Sequence, residues 1–284
     1  MPAETIPQSD AVAALDAGDL VGALRRPEAY PWRPAAVELI ETHISWVFLA
    51  GDRVVKVKRP IRFPFVDHRT VAQRRFSCEE EVRLNRRLTD GVYLDVVPIV
   101  QTAAGLRVGG AGEPVEWATL MRRLPASGML DAILRSGPAP TDLGGRLASR
   151  LIPFHRDHCP ACGTEPAVAE AATRIVTENL DELAPFAGSF RGPVQLGLVE
   201  RAMRGFIAEQ EALLLARAGD GWIREGHGDL RGEHICLEPD GAVQVFDCVE
   251  FNRDLRCADV ASDIAFLLMD LTRYRAMQAA AEIL

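Results

Sequence analysis

Apolar positions change their spacing along this chain, and the change divides it. Alternating or continuous apolar runs bounded by turn residues predict strands at 45–49 and 53–58, joined by Ala50-Gly51-Asp52, and again at 92–100, 106–108 and 115–121. Between them, residues 71–88 carry Phe76, Leu84 and Leu88 at helical spacing. From Gly128 the spacing is helical: Leu143, Leu147, Leu151 and Phe154 line one helix. Further helices are expected over 165–184 and 196–217, with Gly192-Pro193 as the break between them. Upstream, Val12, Leu15, Leu20 and Leu24 predict a short amphipathic helix over 10–25, ended by Pro27, Pro31 and Pro34, and residues 1–9 read as loose. The pattern is α+β: a small antiparallel sheet with one helix, then a mainly helical part.

One stretch breaks the helical part. Residues 226–263 open with His227-Gly228-Asp229, followed five residues after the aspartate by His234. Two short strands joined by Pro239-Asp240-Gly241 then form a hairpin ending on Asp247. Asp229 and His234 at the hairpin's entry and Asp247 at its exit can converge on one point. A carboxylate that accepts a hydroxyl proton, beside two ligands for Mg²⁺, is the minimum equipment for phosphoryl transfer. Asp247 ends an apolar strand, where a carboxylate needs a cation more than at the surface. Asp259 and Asp263 follow at i, i+4 on the last helix, and Glu250 and Asn252 offer a substrate contact or a turn.

A second group lies upstream. Lys56 and Lys58 share one strand face because side chains alternate with period two. A lysine turned inward from a strand is costly unless it meets an anion. Lys56, flanked by Val55 and Val57, is the favoured candidate and Lys58 the fallback. On the helix that follows, Glu80, Leu84 and Leu88 sit at i, i+4, i+8, which selects Glu80 as the carboxylate on the packed face, with Glu81 as the alternative.

Composition narrows the class. The 284 residues, 48% hydrophobic and 25% charged, are those of an ordinary globular protein. A net charge of −8 argues against nucleic acid as a partner. No apolar run approaches a membrane span, and no signal-peptide core opens the chain. Six cysteines without framework spacing read as reduced thiols in a cytoplasmic protein. The run His155-Arg-Asp-His158-Cys159-Pro-Ala-Cys162 offers four ligands to zinc, but structural zinc sites draw ligand pairs from two segments, so a polar loop is expected. Oligomeric state is not legible.

The HGD run, the metal-ligand position five residues on and the strand-ending aspartate resemble the aminoglycoside phosphotransferase-like branch of the protein-kinase fold. ETHISWVFL at 41–49, VVKVKRP at 54–60, RRFSCEEEVRLNRRL at 74–88, MRRLP at 121–125 and the segment 245–271 resemble a bacterial subgroup of it, some of whose members carry an appended P-loop ATPase domain. No GxxxxGK[ST] occurs in this chain.

The resemblance covers about residues 35–275 and implies two lobes: an extension at 1–34, a sheet lobe at 35–124 and a helical lobe at 125–284, the last expected to be incomplete because the chain stops mid-pattern. It implies ATP with Mg²⁺ between the lobes and transfer to a small-molecule hydroxyl, the acceptor unnamed. Asp229 would orient and deprotonate that hydroxyl beside His227. Asp247 and His234 would hold the metal. Lys56, paired with Glu80, would neutralise the phosphates, and the loop 41–45 with the Ser45 hydroxyl would cover them. Met121 and Arg123 lie in the crossing whose backbone would meet adenine. A helix-start aspartate, Asp259 or Asp263, would brace the catalytic loop. The family pattern places an amide where His234 stands, which makes Mn²⁺ an alternative metal. The rival reading is a nucleotide-binding regulatory module with little or no transfer activity.

Overall fold

The computed structural model describes residues 17–162, 165–189 and 196–284. Two compact units emerge, one formed by the chain up to Arg86 with Asp90–Leu124, the other by Arg87–Thr89 with Pro125–Leu284. In the first, α1 (Ala17–Leu24) leads through a 3₁₀ turn into β1 (Val37–Glu41), β2 (Ser45–Ala50) and β3 (Arg53–Lys58). A two-stranded ribbon, β4 (Arg62–Phe63) with β5 (Val66–Asp67), precedes α2 (Val71–Asn85). Then come β6 (Tyr93–Thr102), β7 (Gly105–Val108) and β8 (Pro114–Arg122). The main sheet is antiparallel throughout, in the order β1-β2-β3-β8-β6-β7.

Strand alternation divides β3 between two environments. Val55 and Val57 enter an apolar cluster with Trp46, Phe48, Ile99 and Ala118, while Lys56 and Lys58 face α2. That cluster also takes in Leu20, Leu24 and Tyr30. Leu20, Leu24, Ala29 and Tyr30 thus pack with the apolar face of the sheet. Val12 and Leu15 lie outside the described residues. Helix α2 begins at a capping box, in which Thr70 and Gln73 satisfy each other's backbone amides. Its inner face is pinned to β8 by the buried pair Arg74–Glu116, at 2.6 Å. The helix ends at Asn85, so Leu88 is not on its packed face.

The second unit holds α3 (Leu130–Ser136) and α4 (Leu143–Pro153), whose Leu143, Leu147 and Leu151 are buried, and a π turn, Phe154–His158, extends α4. Helices α5 (Glu165–Leu183), α6 (Leu196–Glu209) and α7 (Glu211–Gly219) follow. The single helix expected over 196–217 is thus two, and Gly192-Pro193 falls outside the described residues. Strand β9 (Ile223–Glu225) leads into the HGD segment, and β10 (Ile235–Leu237) with β11 (Val243–Val245) forms the hairpin, in register Ile235↔Val245. Last come α8 (Arg253–Arg256), β12 (Cys257–Asp259), α9 (Val260–Arg273) and α10 (Met277–Ile283). Cys162 is bonded to Cys257, which replaces the expectation of six reduced thiols. The pairing of β12 with β9 and the bridge of Ala161 to Arg224 bring these two cysteines to adjacent strands. Among the described residues no helix is long and apolar enough to cross a membrane.

Candidate active site

In the second unit the hairpin brings Asp229, His234 and Asp247 together. The chain between Asp229 and His234 makes a single turn, closed by a hydrogen bond from the His234 amide to the Arg231 carbonyl. The His234 Nδ1 lies 2.9 Å from the Asp229 carbonyl oxygen and so carries its proton there. The other ring nitrogen, Nε2, faces the Asp247 Oδ2 at 3.7 Å. Asp247 adopts φ 65°, a left-handed conformation that few side chains accept without strain. That twist turns the carboxylate out of the β11 strand direction as the chain leaves the hairpin.

His227 has a different place from the one its motif suggests. It is fully buried, and its Nε2 donates to the Phe246 carbonyl at 2.9 Å while its Nδ1 accepts the Asp229 amide at 3.2 Å. The ring therefore ties the loop carrying Asp229 to the chain just before Asp247. Burial, the largest cause, pushes its pKa down to about 4, so it is neutral at ordinary pH. With both nitrogens engaged, the buried ring joins the loop to the hairpin exit.

Asp263 supplies the second brace. Its carboxylate accepts the His227 amide at 2.7 Å and the Gly228 amide at 2.9 Å. Burial alone would raise its pKa, but hydrogen bonding from His155, the charge interaction with His227 and the His227 amide hold it below the ordinary value. Gly228 sits at φ +83°, and a Cβ there would meet the Leu255 carbonyl at 3.1 Å, so glycine is required in the motif. Asp259 instead caps α9 and pairs with Arg217 at 2.7 Å.

Arg231, which sequence reasoning did not single out, lies at the candidate site. Its Nη2 donates to the Asp229 Oδ2 at 2.9 Å, its Nε lies 2.8 Å from Oδ1, and it also reaches Glu233 at 2.6 Å. Its position two residues after Asp229, on the same tight loop, was the available signal.

The four side chains of the 155–162 run that could serve zinc are engaged or buried apart from one another. His155 places Nε2 3.1 Å from Asp263, His158 contacts the Pro153 carbonyl, and Cys162 is in the disulfide. Burial raises the Cys159 thiol to about 12. Among the described residues no group of three or more His, Cys, Asp or Glu side chains is spaced to hold a metal. Asp247 with His234 leaves a cation's remaining positions to phosphate oxygens and water; the carboxylate suits Mg²⁺, whereas the imidazole is a poorer match to that hard ion.

In the first unit the lysines meet Glu81, not Glu80. Lys56 Nζ is 2.6 Å from Glu81 Oε1, Lys58 Nζ is 2.8 Å from Oε2, and the Thr119 hydroxyl donates to Oε2 at 3.0 Å. Helix phase explains the correction. The buried face of α2 runs through Arg74, Ser77, Cys78, Glu81, Val82 and Asn85, which leaves Glu80 at its margin, paired with Arg83 at 2.7 Å. Ser45 is fully buried on β2, opposite Lys58, and its hydroxyl makes no hydrogen bond, so it is sealed from any phosphate in this conformation. Met121 is buried within β8, opposite Val54 and Tyr93. Arg123 follows the strand, with its amide bound to the Asp52 carbonyl and its side chain 3.9 Å from Glu38.

No family model matches the chain. It is 34% identical over 236 residues to an uncharacterized protein of Mycobacterium tuberculosis, Rv2004c, covering 83% of this chain and 46% of that one, and equally similar to one of Mycobacterium bovis, Mb2027c. The chain thus spans about half the length of the curated relatives it matches. Among solved structures, the aminoglycoside phosphotransferase APH(3'')-Id from Streptomyces rimosus superposes with a TM-score of 0.51 at 18% identity, over 93% of this chain and 92% of that one. The chain has the protein-kinase-like fold of the aminoglycoside phosphotransferases.

Proposed function

We propose that this protein is an ATP- and Mg²⁺-dependent phosphotransferase acting on a hydroxyl of a small molecule. The observation that carries the reading is the convergence of Asp229, His234 and Asp247 on one hairpin, with the His234 Nε2 3.7 Å from the Asp247 carboxylate. His234 and Asp247 would hold the metal, and the Lys56–Glu81 pair would meet the nucleotide's phosphates. The metal would supply charge neutralisation of the phosphates. Asp229 would orient the acceptor hydroxyl and take its proton, a contribution of about 10²–10⁴-fold in rate. His227 and Asp263 would hold the loop so that this carboxylate stays in place.

The acceptor class follows from the fold's known members only in outline: a sugar, an amino alcohol or an aminoglycoside. A second reading, a nucleotide-binding module with little transfer, is favoured by one observation, the Arg231 grip on both oxygens of Asp229. Calorimetric titration of MgATP, followed by a phosphate-transfer screen over hydroxyl compounds, tests both. Binding with transfer supports the enzyme, binding without transfer to any acceptor supports the module, and absence of binding overturns both.

A further inference from the structure

We infer that Asp270 is a positioning residue: through the Gly232 amide it fixes the turn that carries His234 against Asp229. The inference rests on the metal- and nucleotide-binding reading above and concerns a residue that reading does not use. The loop from His227 to His234 is held from α9 at two places. Asp263 accepts the His227 and Gly228 amides at its start, at 2.7 and 2.9 Å, and the Asp270 Oδ2 accepts the Gly232 amide at 2.9 Å near its end. Residues seven apart on an α-helix share a face, two turns or about 10 Å apart along the axis. One helix thus sets the span of the loop, and Asp229 lies between the two holds.

Gly232 opens the 3₁₀ turn Gly232–His234, and its amide has no partner within that turn. Arg231, at the capping position, supplies none, since its side chain is spent on Asp229 and Glu233. Gly232 is buried, where an unpaired amide is costly, so its acceptor must come from elsewhere in the fold. Asp270 is that acceptor. Beyond Gly232 the turn is short and closed. The His234 amide bonds to the Arg231 carbonyl, its ring Nδ1 meets the Asp229 carbonyl oxygen at 2.9 Å, and its own carbonyl accepts the Phe246 amide at 2.9 Å. Released at Gly232, the turn would let the imidazole shift relative to Asp247. Groups that hold a metal ligand from behind typically set metal affinity by about 10–100-fold.

Asp270 also acts as a negative charge on Arg231, together with Asp229 and Glu233, so bond and charge need separate variants. Asp270→Asn removes the charge and keeps an acceptor oxygen. Gly232→Pro removes the donor and keeps the charge. Proline suits the first position of the turn, Arg231 before it is extended at ψ 161°, and a Cβ at Gly232 meets nothing closer than 3.5 Å. Asp270→Ala removes both.

In calorimetric titrations of MgATP into the full chain, Asp270→Ala and Gly232→Pro are expected to weaken binding by about tenfold or more, and Asp270→Asn to stay within about threefold of wild type. In a His234→Ala background, Asp270→Ala should add less than about twofold, because its effect runs through that ring. Hydrogen exchange of peptides spanning 229–235, read without nucleotide or metal, should quicken in Asp270→Ala and Gly232→Pro and hold the wild-type rate in Asp270→Asn. A merely stabilising Asp270 predicts a lower melting temperature with unaltered MgATP affinity, or losses that add in full to those of His234→Ala, and either result overturns the inference. Asp270→Asn as damaging as Asp270→Ala overturns it too, by making charge the cause. Should Asp270→Ala not fold, Gly232→Pro and Asp270→Asn decide on the same readouts. Wild type that binds no MgATP overturns the proposed function and this inference with it, whereas binding and exchange indifferent to Asp270 and Gly232 overturn this inference alone.

Discussion

Arg231 meets both carboxylate oxygens of Asp229, two residues before it in the same loop. The residue best placed to accept a proton is therefore restrained by a neighbouring cation. Arg231→Met should free the carboxylate and raise ATP hydrolysis in the absence of acceptor, because water then reaches Asp229. The pair is partly exposed, so stability should change by no more than about 1 kcal/mol. Phosphate release from MgATP and a thermal melt measure the two effects; slower hydrolysis would show that Arg231 assists and does not restrain.

The two glutamates of α2 separate cleanly. Glu81→Gln leaves Lys56 and Lys58 facing each other in a buried site, and removing one member of such a set costs about 3–5 kcal/mol. Glu80→Gln removes a contact to the half-exposed Arg83 and should cost about 0–1 kcal/mol. Urea unfolding of both variants checks the contrast, and equal losses would contradict the pairing.

At the metal pair, Asp247→Asn should abolish metal-dependent ATP binding, while Asp229→Asn should keep binding and lose about 10²–10⁴-fold in transfer. His234→Asn should be tolerated and should improve use of Mg²⁺ relative to Mn²⁺, because an amide oxygen suits the harder ion better than imidazole. Titrations of ATP with each metal test all three. Wild-type MgATP affinity in Asp247→Asn would place the metal elsewhere.

Acid should destabilise the fold through two histidines. His227 and His68 both have their folded pKa pushed down to about 4 by burial, below the ordinary 6.5. The unfolded chain then binds more protons between those values, so stability is full above about pH 6.5 and falls as pH drops toward 4. Each pKa unit of that gap is worth about 1.4 kcal/mol. Urea midpoints across this range should fall with pH, and less steeply in His68→Gln.

The disulfide closes a sequence separation of 95 residues. Cys162→Ser with Cys257→Ser should lower stability by about 2–4 kcal/mol, and reductant should reproduce the loss in the wild type. A thermal melt indifferent to both would show that the adjoining strands carry that region unaided.

How much of this was legible depended on the range of each contact. The hairpin, its two aspartates and the Lys-x-Lys strand rest on local spacing, and the sequence displays them. Choosing Glu81 over Glu80 needed the phase of α2, a rotation of about 100° per residue, and that phase is fixed by Arg74 meeting Glu116 on β8. The Cys162–Cys257 bond depends on the pairing of β9 with β12, which no local pattern announces. Ser45 misled because a hydroxyl near a turn reads as available, whereas in β2 it is buried opposite Lys58. Leu20 and Leu24 were legible as an apolar helix face, but their packing with Tyr30 and the sheet is a long-range contact that no local pattern shows.

The left-handed backbone at Asp247 governs how this site can be altered at all. Asparagine and glycine accept that conformation readily, and other side chains do so at a cost of about 1–3 kcal/mol. An alanine or valine scan at this position would confuse a distorted hairpin with a missing ligand and would overstate the residue's chemical part. Asparagine alone keeps side-chain size and backbone together while removing the charge. For the same reason, natural variation here should be confined to a very short alphabet.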